Sequence, residues 1–361
     1  MKDMKRKSDI LKGRQTILPC LTIYHIPAIL AITLLVTTFP AFYSCTHASV
    51  SPDDVTDLRN EIYLKVKSDS SLTGDLDIFF FNADRLMRLD SYMRTDASGG
   101  WNIEAASREG KRIMAVIGNS PLTQNECSSI LSYDDLKEMY AELVHENPES
   151  PVMYAECTVK AGHEATCEVE LQPMMSRIAV NSICCDFHGK PYEGQKLEDV
   201  RIYLTDVCGR YRIAGDDGGQ PESIINHGKL SDEDMAEFQN PSMLDMELDC
   251  AIGENVVHPE TVLYCYPNLS EEYGLGTPFT KLVIEGTLDG KRTFYPIEVN
   301  RGDWKSASGK DGISRNRSYI YDITITRRGT SAPDMPISMH DAGCRLSIRP
   351  WNMAEDRIVE Y

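Results

Sequence analysis

The sequence predicts an all-β protein built as two tandem β-sandwiches, with short helices confined to the loops. Its apolar stretches are short and rich in β-branched and aromatic residues, clusters of turn residues separate them, and few segments show helical periodicity. The chain has 361 residues, and at about 150 residues per domain this length favours two domains. We place the first sandwich at residues 61–172 and the second, with a C-terminal tail, at residues 173–361.

Residues 1–44 are organised like a lipoprotein signal peptide. A basic start with six Lys or Arg precedes an apolar run over residues 27–43, and Ser44 then puts a small residue directly before Cys45. The run is shorter than the roughly 20 residues of a membrane-spanning helix, and it contains Pro40. We therefore expect cleavage before Cys45 and lipid on its side chain. An uncleaved signal anchor and an ordinary secreted protein are the alternatives.

The mature chain is predicted to be strongly acidic. The full sequence has a net charge of −18, and removing residues 1–44, with six basic and two acidic residues, changes it to −22. Such a charge argues against nucleic acid as a partner, because the phosphates would be repelled. Residues 45–60 are polar, and we interpret them as a tether to the membrane.

The first predicted strand covers residues 61–67. Ile62, Leu64 and Val66 alternate with charged residues, which is typical of a strand with one buried face. Two more buried strands are predicted at residues 76–81 and 112–117. A helix capped by Ser132 is predicted over residues 132–146, and a hairpin over residues 153–171.

The second half repeats this pattern of short strands and turns. Seven segments qualify as strands, at residues 177–183, 200–204, 261–266, 281–285, 293–299, 318–326 and 344–348. A short helix is predicted to begin after Ser231, with an acidic residue three positions on.

The sequence contains none of the motifs that carry catalysis. It has no His-Glu-x-x-His pair, no Gly-x-Ser-x-Gly elbow and no phosphate-binding loop. Cys184 and Cys185 are adjacent on a strand and so point to opposite faces, which does not suit a shared metal ion. We therefore expect a non-enzymatic protein without cofactor, metal or small-molecule substrate.

Cys157 and Cys167 are a candidate disulfide. If the predicted hairpin turns at Gly162, the two residues face each other across antiparallel strands, where the separation can suit a disulfide. Two buried thiols are the alternative.

Several segments, in order along the chain, resemble the fimbrillin family, the pilus subunits of Bacteroidia. They are residues 76–84, 112–121, 175–180, 261–268 and 315–326, and the pair Pro350-Trp351. The resemblance implies two transthyretin-like β-sandwiches, export as a palmitate-bearing lipoprotein to the cell outer membrane, and a surface location in the fimbrium. It also implies assembly with other fimbrial subunits by donor-strand exchange, in support of cell adhesion.

One departure from the family bears on the position of the subunit. Shaft subunits of the family look as if a protease cuts them after an Arg between the first strand and the next, which opens a groove for a donated strand. In this sequence, residues 68–84 contain no Arg or Lys. The nearest candidates for such a cut are Arg59, ahead of the predicted strand, and Lys65 and Lys67, within it. An uncut chain keeps its lipid and its first strand, as an anchor or accessory subunit would.

The C-terminal tail and two tryptophans complete the candidate residues. Residues 352–361 are either the strand donated to the next subunit or a solvated tail, with apolar residues Met353, Ile358, Val359 and Tyr361. The alternative function is a surface lipoprotein that binds glycan or protein. Trp101 and Trp304, each beside a glycine-rich turn, are its candidate aromatic residues, although burial in the core suits them better.

Overall fold

The computed structural model describes residues 59–67, 74–96, 102–162, 165–215, 221–274, 276–306 and 310–351. These ranges contain 20 strands and three short α-helices, all within one compact unit. The predicted all-β sandwich class is confirmed. No helix within these ranges is long and apolar enough to cross a membrane. Five predicted site residues lie outside the described residues: Cys45, Met353, Ile358, Val359 and Tyr361.

Nine strands form the N-terminal half: β1 (Arg59–Lys67), β2 (Asp75–Asn82), β3 (Leu89–Asp96), β4 (Asn102–Arg108), β5 (Gly110–Gly118), β6 (Tyr140–Glu142), β7 (Met153–Ala161), β8 (Ala165–Glu170) and β9 (Gln172–Pro173). One sheet has the order β4-β1-β8 and the other has the order β3-β2-β5-β7-β9. Apolar side chains of both sheets share one core, in which the rings of Phe79 and Phe81 stack.

Eleven strands follow in the C-terminal half: β10 (Ser176–Cys185), β11 (Glu198–Thr205), β12 (Val207–Cys208), β13 (Arg210–Arg212), β14 (Ile224–Ile225), β15 (Asp245–Glu247), β16 (Thr261–Cys265), β17 (Lys281–Leu288), β18 (Lys291–Glu298), β19 (Arg317–Ile325) and β20 (Ala342–Pro350). The two main sheets have the orders β16-β10-β19-β20 and β15-β11-β17-β18, and β12 pairs with β14.

The three helices are short, and side-chain caps define their starts: α1 (Gln124–Ser129), α2 (Tyr133–Lys137) and α3 (Asp232–Ala236). Ser132 and Ser231 cap α2 and α3 as the sequence predicts, and Thr123 forms a capping box for α1. The helix predicted to continue to residue 146 instead ends at Lys137. The chain then pairs as β6 with β13, so the tertiary pairing overrides the helical periodicity.

The hairpin predicted over residues 153–171 is wrong. Strand β7 pairs with β5 and β9, whereas β8 runs parallel to β1 in the other sheet. The chain therefore crosses from one sheet to the other between β7 and β8. Periodicity identifies both strands, but it carries no information on which strand each one pairs with.

The boundary between two domains at residues 172 and 173 stays a prediction, and β9 straddles it while pairing with β7. Several contacts connect the halves directly, and they include the following two. Strand β6 pairs with β13, and the hydroxyl of Tyr266 donates a hydrogen bond to the Glu146 carboxylate at 2.7 Å.

Candidate assembly site at the first strand

Strand β1 is the central strand of its three-stranded sheet. It pairs antiparallel with β4, from Arg59 opposite Arg108 to Lys65 opposite Asn102. On its other side it pairs parallel with β8, from Ile62 opposite Ala165 to Lys67 opposite Glu170. Removing β1 would leave two unpaired strand edges facing each other, which is the geometry that accepts an added strand.

The inward face of β1 fills the core between the sheets. Ile62, Leu64 and Val66 are 0%, 1% and 1% exposed. Burial of three such side chains contributes roughly 5–8 kcal/mol before entropy is counted. On the outer face, Lys67 forms an ion pair with Glu168, in which both side chains are about half exposed, so it contributes little. The apolar face therefore contributes much more than this ion pair to holding β1 between its two neighbouring strands.

Strands β4 and β8 form the two walls of the groove that β1 fills, the β1 groove. Asp90 on β3 connects the β4 wall to the opposite sheet. The Asp90 carboxylate accepts hydrogen bonds from Ser107 Oγ and from the Arg108 backbone N–H, each at 2.9 Å. Burial raises the pKa of Asp90, but these hydrogen bonds and the charges of Arg112 and Arg108 outweigh it, and the net pKa is lowered. The charged carboxylate ties β4 to β3 without any contribution from β1.

Strand β8, the other wall, lies against the opposite sheet at Cys157 and Cys167. Their sulfur atoms are 3.3 Å apart, and both residues are half-buried free cysteines. Burial, followed by the neighbouring Cys167, raises the pKa of the Cys157 thiol. Because β7 and β8 belong to different sheets, this pair spans the sandwich instead of a hairpin. The disulfide itself stays a prediction.

At the C-terminal end of the described residues, the chain is held in place by β20 and Trp351. Strand β20 lies at the edge of its sheet, and Cys344, Leu346 and Ile348 pack partly buried against the core. Trp351 follows directly and is buried, with its ring centroid 5.5 Å from that of Tyr264. Its backbone N–H donates a hydrogen bond to the Asn316 carbonyl at 3.2 Å. The tail predicted to be donated begins after this residue.

Of the two tryptophans considered for the alternative function, Trp304 has the buried position that suited it better. Trp304 is buried, with its ring N–H donating to the Ala342 carbonyl at 3.4 Å, and Trp101 lies outside the described residues. The sequence reasoning missed Tyr273, an exposed tyrosine that lines two cavities. An aromatic residue in a loop rich in polar and glycine residues is the signal that could have identified it.

The fold is similar to those of solved proteins from the Bacteroidia, whereas no known protein-family profile matches the sequence. A Parabacteroides distasonis protein with a proposed role in cell adhesion has a TM-score of 0.62 at 15% identity, over 81% of this chain and 97% of that chain. The fimbrilin FimA of Porphyromonas gingivalis has a TM-score of 0.59 at 15% identity, over 81% and 97%. The tip fimbrial protein Mfa3 of the same organism has a TM-score of 0.50 at 15% identity, over 81% and 100%. The chain therefore has the fimbrillin-like fold that the resemblance implied.

Proposed function

We propose that this chain is a non-enzymatic fimbrial subunit that is held at the outer membrane by lipid on Cys45 and joins other subunits by donor-strand exchange. The observation that carries the proposal is the position of β1, a complete strand between two walls that are each held to the opposite sheet. A donated strand with the same alternation of apolar residues would find the same hydrogen-bonding edges and the same pockets. The fimbrial and adhesion proteins that share this fold support the assignment.

The positions of the basic residues favour a terminal subunit. Strand β1 begins at Arg59, so Arg59 lies within the strand and not ahead of it, and a cut after it would leave most of β1 in place. Lys65 and Lys67 also belong to β1. Lys65 pairs with both β4 and β8, and Lys67 pairs with β8, so the backbone at both positions is less accessible to a protease. A subunit that keeps β1 can donate a strand but has no open groove to accept one, so it ends the polymer. With lipid on Cys45, that end is at the membrane.

Residues 352–361 are the proposed donor. They begin just after the buried Trp351, and their ten residues match the nine of β1 in length. In the groove of a neighbour, Met353, Ile358, Val359 and Tyr361 would supply the apolar contacts.

The test removes β1 and returns it as a peptide. A chain that begins at residue 68 should have a lower free energy of unfolding than the chain that begins at residue 46, because the core loses Ile62, Leu64 and Val66. A synthetic peptide of residues 59–67 should bind this shortened chain and raise its melting temperature. The matched control is the same peptide with Leu64→Asp, which should not bind because it would bury a charge.

The same shortened chain tests the donor. With its tail present it should polymerise, since the open groove of one copy can accept residues 352–361 of the next. The version that also ends at Trp351 should stay monomeric. Equal unfolding free energies with and without β1, together with no peptide binding, would contradict the proposed function.

A further inference from the structure

Two cavities in the C-terminal half share one wall. The smaller, of about 270 Å³, has mostly apolar walls and includes Tyr273, Pro296, Glu298, Trp304 and Ile337. The larger, of about 920 Å³, is polar and includes Tyr273, Ser270, Thr277, Arg301, Lys310 and Asp311. Tyr273 lines both, so we treat them as one site, the Tyr273 cleft. None of these residues belongs to β1, β4 or β8, and the site is therefore separate from the assembly site.

Tyr273 is an exposed aromatic ring with fixed neighbours. It is 56% exposed, yet it makes an edge-to-face contact with Phe279 at 5.6 Å between ring centroids. Lys281 Nζ lies 5.3 Å from the centre of its ring. A large ring that is oriented by its neighbours but left accessible provides a flat apolar surface for a ligand.

Polar groups in the cleft have unused hydrogen-bonding capacity. Arg301 is 7% exposed, and its Nη2 has no hydrogen-bond partner among the described residues. The half-buried Glu298 carboxylate lines the smaller cavity, and burial raises its pKa despite the nearby Lys281 and Arg301. A buried polar group without a partner is costly, so such groups at a cavity indicate a ligand that satisfies them.

The lining of the cleft carries charges of both signs. The larger cavity is lined by two cations, Arg301 and Lys310, and by three acids, Glu271, Glu272 and Asp311. The smaller one is lined by Lys281, Glu298 and Asp334, and Lys281 is already paired with the buried Asp206 at 3.0 Å. A cation or an anion would therefore meet repulsion from part of the lining. A ligand with many hydroxyl groups can donate to the carboxylates and accept from the cations.

We propose that the Tyr273 cleft binds a neutral oligosaccharide, with the C–H face of one sugar ring stacked on Tyr273. The combined size suits several sugar rings, with one in the apolar cavity and the others in the polar one. Glu298 and Arg301 hydrogen-bond the hydroxyl groups on either side of the stacked ring.

The experiment measures binding of neutral trisaccharides to the lipid-free mature chain by ligand-observed NMR and calorimetry. The probes are maltotriose, cellotriose, N,N′,N″-triacetylchitotriose and mannotriose, with trilysine as the charged comparison. At least one trisaccharide should bind. Its affinity should be unchanged between about 50 and 500 mM salt, because the ligand carries no charge. Tyr273→Ala should weaken this binding at least about fivefold through the loss of apolar contact.

Tyr273→Phe is the matched control, because it keeps the ring and removes only the hydroxyl. It should bind within about twofold of the unchanged protein, since stacking uses the ring face. Three results would each overturn the proposal: no trisaccharide binds, Tyr273→Ala binds as well as the unchanged protein, or trilysine alone binds and is displaced by salt.

Discussion

Glu146, at the contact between the two halves, should make the stability of the protein depend on pH. The residue is 2% exposed and follows the 3₁₀ turn Leu143–His145. Its carboxyl group accepts hydrogen bonds from the Tyr266 hydroxyl at 2.7 Å and from the Val152 N–H at 3.1 Å. Burial raises the pKa of Glu146 from 4.5 to about 7, although these hydrogen bonds lower it in part.

The direction and size of the effect follow from this shift. Between pH 4.5 and about 7 the folded protein holds a proton on Glu146 that the unfolded chain has released. The free energy of unfolding should therefore fall as pH rises through this interval, and reach a constant lower value above it. At about 1.4 kcal/mol per pKa unit, the shift corresponds to a loss of roughly 3 kcal/mol.

Glu146→Gln tests this by fixing the side chain in a neutral form of the same shape. The variant should match the unchanged protein below pH 4.5 and be more stable by roughly 3 kcal/mol above pH 7. The assay is urea unfolding at a series of pH values from 4 to 8, with the exposed Glu254→Gln as control. Parallel stability profiles for Glu146→Gln and the unchanged protein would refute the reasoning.

Three further predictions concern attachment, assembly and the thiol pair. Cys45→Ala should release the protein from the membrane fraction or leave an unprocessed precursor, and co-sedimentation with membranes at the mature size would argue against a lipid anchor. Truncation after Trp351 should leave the melting temperature unchanged but abolish joining to an open subunit, and continued assembly would rule the tail out as donor. Cys157 and Cys167 should form a disulfide under oxidising conditions. The oxidised protein should then show two fewer titratable thiols than the reduced protein, and Cys157→Ser should show no such difference.

Features with a local cause could be predicted from the sequence. The alternation of Ile62, Leu64 and Val66 indicates β1, and the serine hydroxyls at 132 and 231 mark the starts of α2 and α3. Each of these signals acts over a few residues, so the sequence displays it directly.

Features that depend on which segments meet could not be predicted in this way. The crossing between β7 and β8 and the early end of α2 both result from pairing with distant strands. The Tyr273 cleft joins a loop tyrosine to Glu298 and Trp304, which lie on or after β18, and no local pattern connects them. Such sites arise only once the sheets have formed.

Under the proposed function, the order of segments along the chain would make lipid attachment at Cys45 and acceptance of a donated strand exclusive of each other. Cys45 precedes β1, and β1 precedes the rest of the fold. A cut that frees β1 from the groove must lie after it and therefore also removes Cys45 with its lipid. A cut before β1 can release the membrane tether but leaves the groove filled. The N-terminal mass of the protein from its native membrane thus reports both properties: an acylated Cys45 means a closed groove, and a start beyond residue 67 means an open one.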